Sequence, residues 1–378
     1  MYLTRLHPLG SITLSKHSKE RGIFATIRGL NLAIDSGSKL EKSRPYANIT
    51  VVAGLVKLNK LAAVYAQRAI ANAERTEDNG ARAYVLNIVG LYRATQGQWK
   101  ASQECLTPAQ EIASRMGHHR RWEETAVVSV MMLYRRGELH AARSLAQRLY
   151  RSGRQRAVRA VQVWGLSAQL VTDLALEKFD AKLPPRLIQL LDNTLPMSDR
   201  IFARGALALN ALRRGDISQA EQFAEQVQSL MAQVDTTAQY VLNGYAAVAE
   251  VGTELWASGD RDQVLAQRLT KSACSALARY AKFYPVGKPQ LHRFHGRRSW
   301  LLGRSSSALK QWQAGVEVAA SMGMVYEQAC LHLEIANHAT DARAASHRAA
   351  GLDCLAQSRI EVGDAQQLEN ITKSILWL

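Results

Sequence analysis

One spacing limits this chain more than any other feature: short turns built on a glycine recur at a period of about 40 residues, the length of a helical-hairpin repeat. They are Gln96-Gly97-Gln98-Trp99, Arg136-Gly137-Glu138-Leu139, Arg214-Gly215-Asp216-Ile217, Ser258-Gly259-Asp260 and Leu302-Gly303-Arg304. The differences between successive glycine numbers are 40, 78, 44 and 44, and a degenerate turn at Glu177-Lys178-Phe179-Asp180 falls in the middle of the long interval. A fixed period of this length is the mark of a repeat architecture, in which each unit buries its apolar face only against its neighbours. Between the turns Ala, Leu, Gln, Arg and Glu dominate, and apolar residues recur at three and four positions, as in Ala141, Ala142, Leu145 and Leu149. That is the helical period. Strand signals are confined to a short β-branched run, Ile49-Thr50-Val51-Val52.

The second helix of each repeat carries a small residue at a fixed offset. Ala142, Ala220 and Ala308 each follow their turn glycine by five residues, where a larger side chain would hold the paired helices apart. Two repeats also match at the far end of that helix, Glu111-Ile112-Ala113-Ser114-Arg115-Met116-Gly117 against Glu317-Val318-Ala319-Ala320-Ser321-Met322-Gly323. The closing glycines Gly117 and Gly323 predict helix ends that need left-handed backbone.

A glycine turn, a small residue five later and a large apolar residue four beyond that (Phe223 near it, Trp312 at it) resemble the tetratricopeptide repeat, with longer helices than the roughly 34-residue period usual there. The fold expected is an all-α, right-handed helical-hairpin solenoid of about eight hairpins over residues 45–378, behind a basic N-terminal segment, residues 1–44, that is poorly ordered or partly helical.

Longer strings carry a second resemblance: Tyr65-Ala66-Gln67-Arg68-Ala69, Gly90-Leu91-Tyr92-Arg93-Ala94, Met116-Gly117-His118-His119-Arg120-Arg121-Trp122-Glu123-Glu124, Ala278-Arg279-Tyr280-Ala281-Lys282-Phe283-Tyr284-Pro285-Val286-Gly287-Lys288-Pro289 and Ser321-Met322-Gly323-Met324-Val325-Tyr326-Glu327-Gln328-Ala329. Across residues 47–351 they resemble the tetratricopeptide-like tails of bacterial class III adenylate/guanylate cyclase-like proteins that also carry an AAA-type ATPase. The resemblance implies a regulatory module, or a fragment of such an enzyme. The catalytic parts are missing: there is no GxxxxGK[ST] phosphate loop, Gly287-Lys288 lacking both the upstream Gly and the following Ser or Thr, and no strand segment bears paired metal-binding aspartates.

Other chemistry has little support. No GxSxG elbow exists, and Gly303-Arg304-Ser305-Ser306-Ser307 reads as a helix start with Ser305 or Ser306 as its cap. Cys105, Cys274, Cys330 and Cys354 are scattered and form no CxxC, so they read as reduced core thiols. The pairs His292/His295 and Glu334/His338 could each share a helix face, but no third metal ligand joins them by spacing. Trp122, Trp164, Trp256, Trp300 and Trp312 read as wedges between stacked helices. The expectation is a cytoplasmic, non-catalytic protein with no cofactor and no transmembrane segment.

Charge distribution is the unusual feature. Lys and Arg total 48 against 32 Asp and Glu, a formal net charge of +16. Between Gln263 and Val316 there is no acid at all, while Arg268, Lys271, Arg279, Lys282, Lys288, Arg293, Arg297, Arg298, Arg304 and Lys310 supply ten positive charges. A second basic stretch runs from Arg115 to Arg159. Solvated helix faces usually mix signs, so the stretch 279–304 is expected to be a binding surface for an acidic protein, such as a nucleotide-binding ATPase or cyclase module. Nucleic acid is the alternative. The residues assigned to it are Arg279, Lys282, Tyr284, Lys288, Arg293, Phe294, Arg297, Arg298 and Arg304, on a loop made to project by Pro285, Gly287 and Pro289.

Overall fold

A computed structural model describes residues 19–35, 39–233, 238–259, 262–340 and 342–358, and among these every regular element is helical. The chain divides into two compact units. The first, residues 1–129 with 234–239, holds α1 (Lys19–Asp35), α2 (Lys39–Leu55), α3 (Asn59–Glu74), α4 (Asn79–Thr95), α5 (Trp99–Arg115) and the start of α6 (His119–Arg135). The second begins within α6 and continues through α7 (Leu139–Gln155), α8 (Arg159–Ala175), the short α9 (Leu183–Leu190), α10 (Met197–Arg213) and α11 (Ile217–Gln233). It is completed by α12 (Val241–Ser258), α13 (Gln263–Phe283), α14 (Lys288–Leu301), α15 (Ser305–Ser321), α16 (Val325–His338) and α17 (Arg343–Gln357).

The period has a simple origin. The helices α4 to α8 are each 17 residues long. A joint of three links each to the next, so they start at Asn79, Trp99, His119, Leu139 and Arg159, and a hairpin recurs at every second start. At each joint one residue adopts left-handed backbone. Gly97 (φ 75°), Gly117 (62°), Gly137 (80°), Gly215 (75°), Gly303 (72°) and Gly323 (61°) do so as the sequence predicts, and Glu177 (54°) takes the same place in the degenerate turn. Gly259 (73°) closes α12 in the same conformation, and Lys57 (62°) and Ala157 (54°) adopt it without a glycine to announce them. Around Gly97 the amide of Gln98 donates to the Arg93 carbonyl (3.0 Å) and that of Gly97 to Ala94 (3.2 Å). This closes the helix in a Schellman motif, and the residue after the glycine starts the next helix. The same closing bond recurs from Leu58 to Ala53 (2.8 Å), Val158 to Gly153 (2.9 Å) and Lys178 to Asp173 (2.8 Å).

Within the second unit α8, α10, α12, α14 and α16 pack in succession as an inner layer, each also carrying an outer partner, as α12 carries α13 and α14 carries α15. The small residues five after a joint sit where the layers meet: Ala142, Ala220 and Ala308 are fully buried. Inner helices approach closely at Gly205 of α10, where a Cβ would stand 2.5 Å from the Gly244 Cα of α12. Trp312 is fully buried and its indole N–H donates to the Arg293 carbonyl (3.0 Å), while Trp122, Trp164, Trp256 and Trp300 are half-buried. The first helical segment of this unit reaches its last hairpin. The rings of Tyr134 and Tyr326 lie 6.0 Å apart, and a Cβ on Gly137 would meet the Ser358 hydroxyl at 2.6 Å.

In the first unit α2 packs on α3 and α4 on α5, with α1 against α2. The boundary expected at residue 44 falls inside α2, which contains Pro45 and absorbs the β-branched run at 49–52 into a helix. Residues 19–35 of the N-terminal segment are helical, and residues 1–18 lie outside the described residues.

Candidate functional site

The acid-free stretch splits into two surfaces of opposite character. α13 ends at Phe283, a single 3₁₀ turn (Pro285–Gly287) follows, and α14 begins at Lys288. The turn does not project. Val286 is fully buried, Tyr284 is 9% exposed with its ring 5.0 Å from that of Tyr280, and a Cβ on Gly287 would stand 2.6 Å from the Tyr280 ring.

Four residues expected at the surface are therefore inside: Tyr284, Phe294 (1% exposed), Arg293 (6%) and Arg297 (7%). Phe294, Arg293 and Arg297 belong to the inner face of α14, and a charge can be buried there only because acids on the flanking inner helices meet it. Arg293 Nε donates to Glu334 Oε1 (2.9 Å) and its Nη1 lies 3.9 Å from Glu250 Oε2. Arg297 donates from Nε to Glu334 Oε1 (2.6 Å) and from Nη1 to Glu254 Oε1 (2.7 Å). Arg213 on α10 donates to Glu250 Oε1 (2.8 Å), and Gln290 Nε2 to Glu327 Oε1 (2.9 Å). Burial works against the charge on Arg293, but Cys330, Glu250 and Glu334 more than offset it and its pKa lies well above the usual value. Burial pushes the Glu254 carboxyl up to about 8, with Arg297 acting in the opposite direction.

These acids were missed because reading along the chain pairs only neighbours. The signal was available in the period: the partners are separated by 37, 41 and 43 residues, one repeat each.

On the outside the picture reverses. Arg279, Lys282, Lys288 and Arg304 are exposed and Arg298 is half-buried. Along α13 the residues Val264, Arg268, Lys271, Ser275, Arg279 and Lys282 are all exposed at helical spacing, one outward stripe. Arg268 donates to Glu225 of α11 (2.9 Å) across exposed surface. From Arg268 to Lys282 the stripe is about 21 Å long at 1.5 Å per residue.

The second basic stretch is partly matched by acids. Arg121 pairs with Glu124 (2.6 Å), Arg136 with Glu138 (2.7 Å), Arg143 with the fully buried Asp173 (2.5 Å) and Arg159 with Asp192. Arg148, Arg151 and Arg154 are exposed on α7.

Among the described residues no group of three or more His, Cys, Asp or Glu could hold a metal ion, and no helix is long and apolar enough to cross a membrane. His292 bonds Gln311 (2.9 Å), and His338 Nδ1 lies 2.8 Å from the Glu334 carbonyl. All four cysteines are buried, and burial pushes the Cys274 and Cys330 thiols up to about 12, away from thiolate chemistry. α15 starts after Arg304 with no side-chain cap, so Ser305 and Ser306 lie in its first turn.

No protein-family model matches the chain, and a search of curated proteins finds no match. Among solved structures the chain is similar to a circular tandem repeat protein with novel repeat topology and enhanced subunit contact surfaces, at 14% identity over 95% of this chain and 91% of that one. The TM-score is 0.24, so the architecture rests on the helices and joints described above.

Proposed function

We propose that this helical-repeat protein is a protein-interaction scaffold that works by binding rather than by chemistry, and that it docks an acidic protein surface on the outward stripe of α13. One observation carries this reading. α13 is a 21-residue helix without an acid, and its exposed stripe presents Arg268, Lys271, Arg279 and Lys282. Such a row attracts an acidic surface and speeds its capture. Lys288 and Arg304, exposed beyond it, extend the basic surface; Arg298 is half-buried beside them.

The sequence resemblance supports a narrower form, in which the scaffold is the regulatory repeat tail of a cyclase or ATPase-type signalling protein and the acidic partner is its nucleotide-binding module. The experiment is charge reversal of Lys271, Lys282 and Lys288 together, followed by pull-down from the native cell across a salt series. Loss of a protein partner whose capture by the wild type falls with salt supports the reading. Recovery of the same partners with the same salt dependence overturns it, and loss of co-purifying RNA or DNA instead transfers the stripe to nucleic acid.

A further inference from the structure

The inner face of the second unit lines a partly open pocket of about 50 Å³. Leu174, Leu209 and Phe294 form part of its wall, and Asn243, Gln290 and Glu327 supply polar groups. At 10–15 Å³ per water the space takes about three to five waters, or one molecule of four or five non-hydrogen atoms. Its charged lining is two arginines, Arg213 and Arg293, and two glutamates, Glu250 and Glu327. That balance favours neither an anion nor a cation, and both guanidinium groups already donate to acids, Arg213 to Glu250 and Arg293 to Glu334.

One open group of the lining is a neutral acceptor. Gln290 is 8% exposed and its Oε1 has no hydrogen-bond partner. A buried acceptor left unmade is costly, so such an atom in a cavity wall calls for a donor. Glu327 is 3% exposed and is held through Oε1, where Gln290 Nε2 donates to it. Asn243, 6% exposed, brings a side-chain amide into the same lining. We infer that the cavity is a binding site for a small uncharged ligand of the carboxamide or urea class. Its planar NH₂ group donates to Gln290 Oε1 and to Glu327, and its carbonyl accepts from the Asn243 amide. This inference is independent of the docking stripe, which lies on the outer face of α13.

Acetamide is the probe. Crystals of the whole protein soaked in acetamide should show one planar molecule against Gln290. Calorimetry should give a dissociation constant in the high-micromolar to millimolar range, because four atoms supply little binding energy. Gln290→Leu, checked for retained helicity by circular dichroism, should weaken binding at least tenfold. The soak tests the same point without any variant. Ordered water alone in the cavity, acetate or methylammonium binding as well as acetamide, or unchanged binding by a folded Gln290→Leu would each overturn the inference.

Discussion

α13 and α14 are consecutive helices of one acid-free stretch, and their arginines meet opposite fates. On α14 Arg293 and Arg297 are buried and share Glu334, with Glu250 and Glu254 beside them. On α13 Arg268, Lys271, Arg279 and Lys282 face solvent, and the pair that Arg268 makes with Glu225 is itself exposed. Composition cannot separate the two helices. What separates them is layer: α14 is an inner helix whose neighbours are α12 and α16, each a repeat away in sequence, and those neighbours bring the acids. In a repeat protein a charge run has to be read together with the segments one period before and after it.

The sharpest way to break the comparison is charge reversal on each helix. Arg297→Glu should remove the cation that Glu254 and Glu334 share and bury a third carboxyl group beside them, and urea unfolding should report a loss of at least about 3–5 kcal/mol. Acidity comes next. The folded-state pKa of Glu254 is raised from 4.5 to about 8, so the folded chain holds a proton that the unfolded chain releases. Its contribution to stability is present below about pH 4.5 and is lost as pH rises towards about 8. Glu327, Asp173 and Asp199, also raised by burial, act in the same sense. Above about pH 6.5, thermal unfolding should show stability falling towards pH 8, and Glu254→Gln should flatten that slope; below it His332, lowered to about 4 by burial, and His295 and His347, also lowered, act in the opposite sense.

Salt should divide the layers. At high ionic strength capture of an acidic partner by α13 should fall steeply, since exposed charges are screened within a few ångströms at about 1 M. The melting temperature should move little, because the inner pairs are shielded from ions. The smallest effect belongs to Lys271→Glu, Lys282→Glu and Glu225→Gln, each expected to change stability by no more than about 0.5 kcal/mol in denaturant titrations. A larger loss would place the α13 stripe in the packing.

How far the sequence could be read follows from the same contrast. Gly97, Gly137, Gly215 and Gly303 disclosed the joints because a left-handed residue favours glycine, and they carried the repeat period with them. Lys57 and Ala157 occupy the same backbone state with ordinary side chains, held there by the bonds of the Schellman motif, so they gave no signal. Ala142, Ala220 and Ala308 were legible for a similar reason, since contact between layers leaves little room at those positions. The exposure of the basic stretch was half legible. Arg279, Lys282, Lys288 and Arg304 are on the surface as expected, whereas Arg293, Phe294, Arg297 and Tyr284 were misplaced. Pro285 and Gly287, taken as the root of a projecting loop, make a tight 3₁₀ turn tucked against Tyr280.

The uniform step from one helix to the next has a consequence for how such a chain can change length. Removing or adding a single helix with its joint exchanges the inner and outer roles of every helix downstream, whereas a whole hairpin restores them. Along α2 to α5 a whole-hairpin indel would keep each remaining helix on the same neighbour type, so length variants of that region are structurally admissible. The second unit has no such freedom, because Tyr134 and Gly137 at its start must meet Tyr326 and Ser358 at its end. Natural or engineered variants should therefore gain and lose hairpins before Ser129 and keep the number after it fixed.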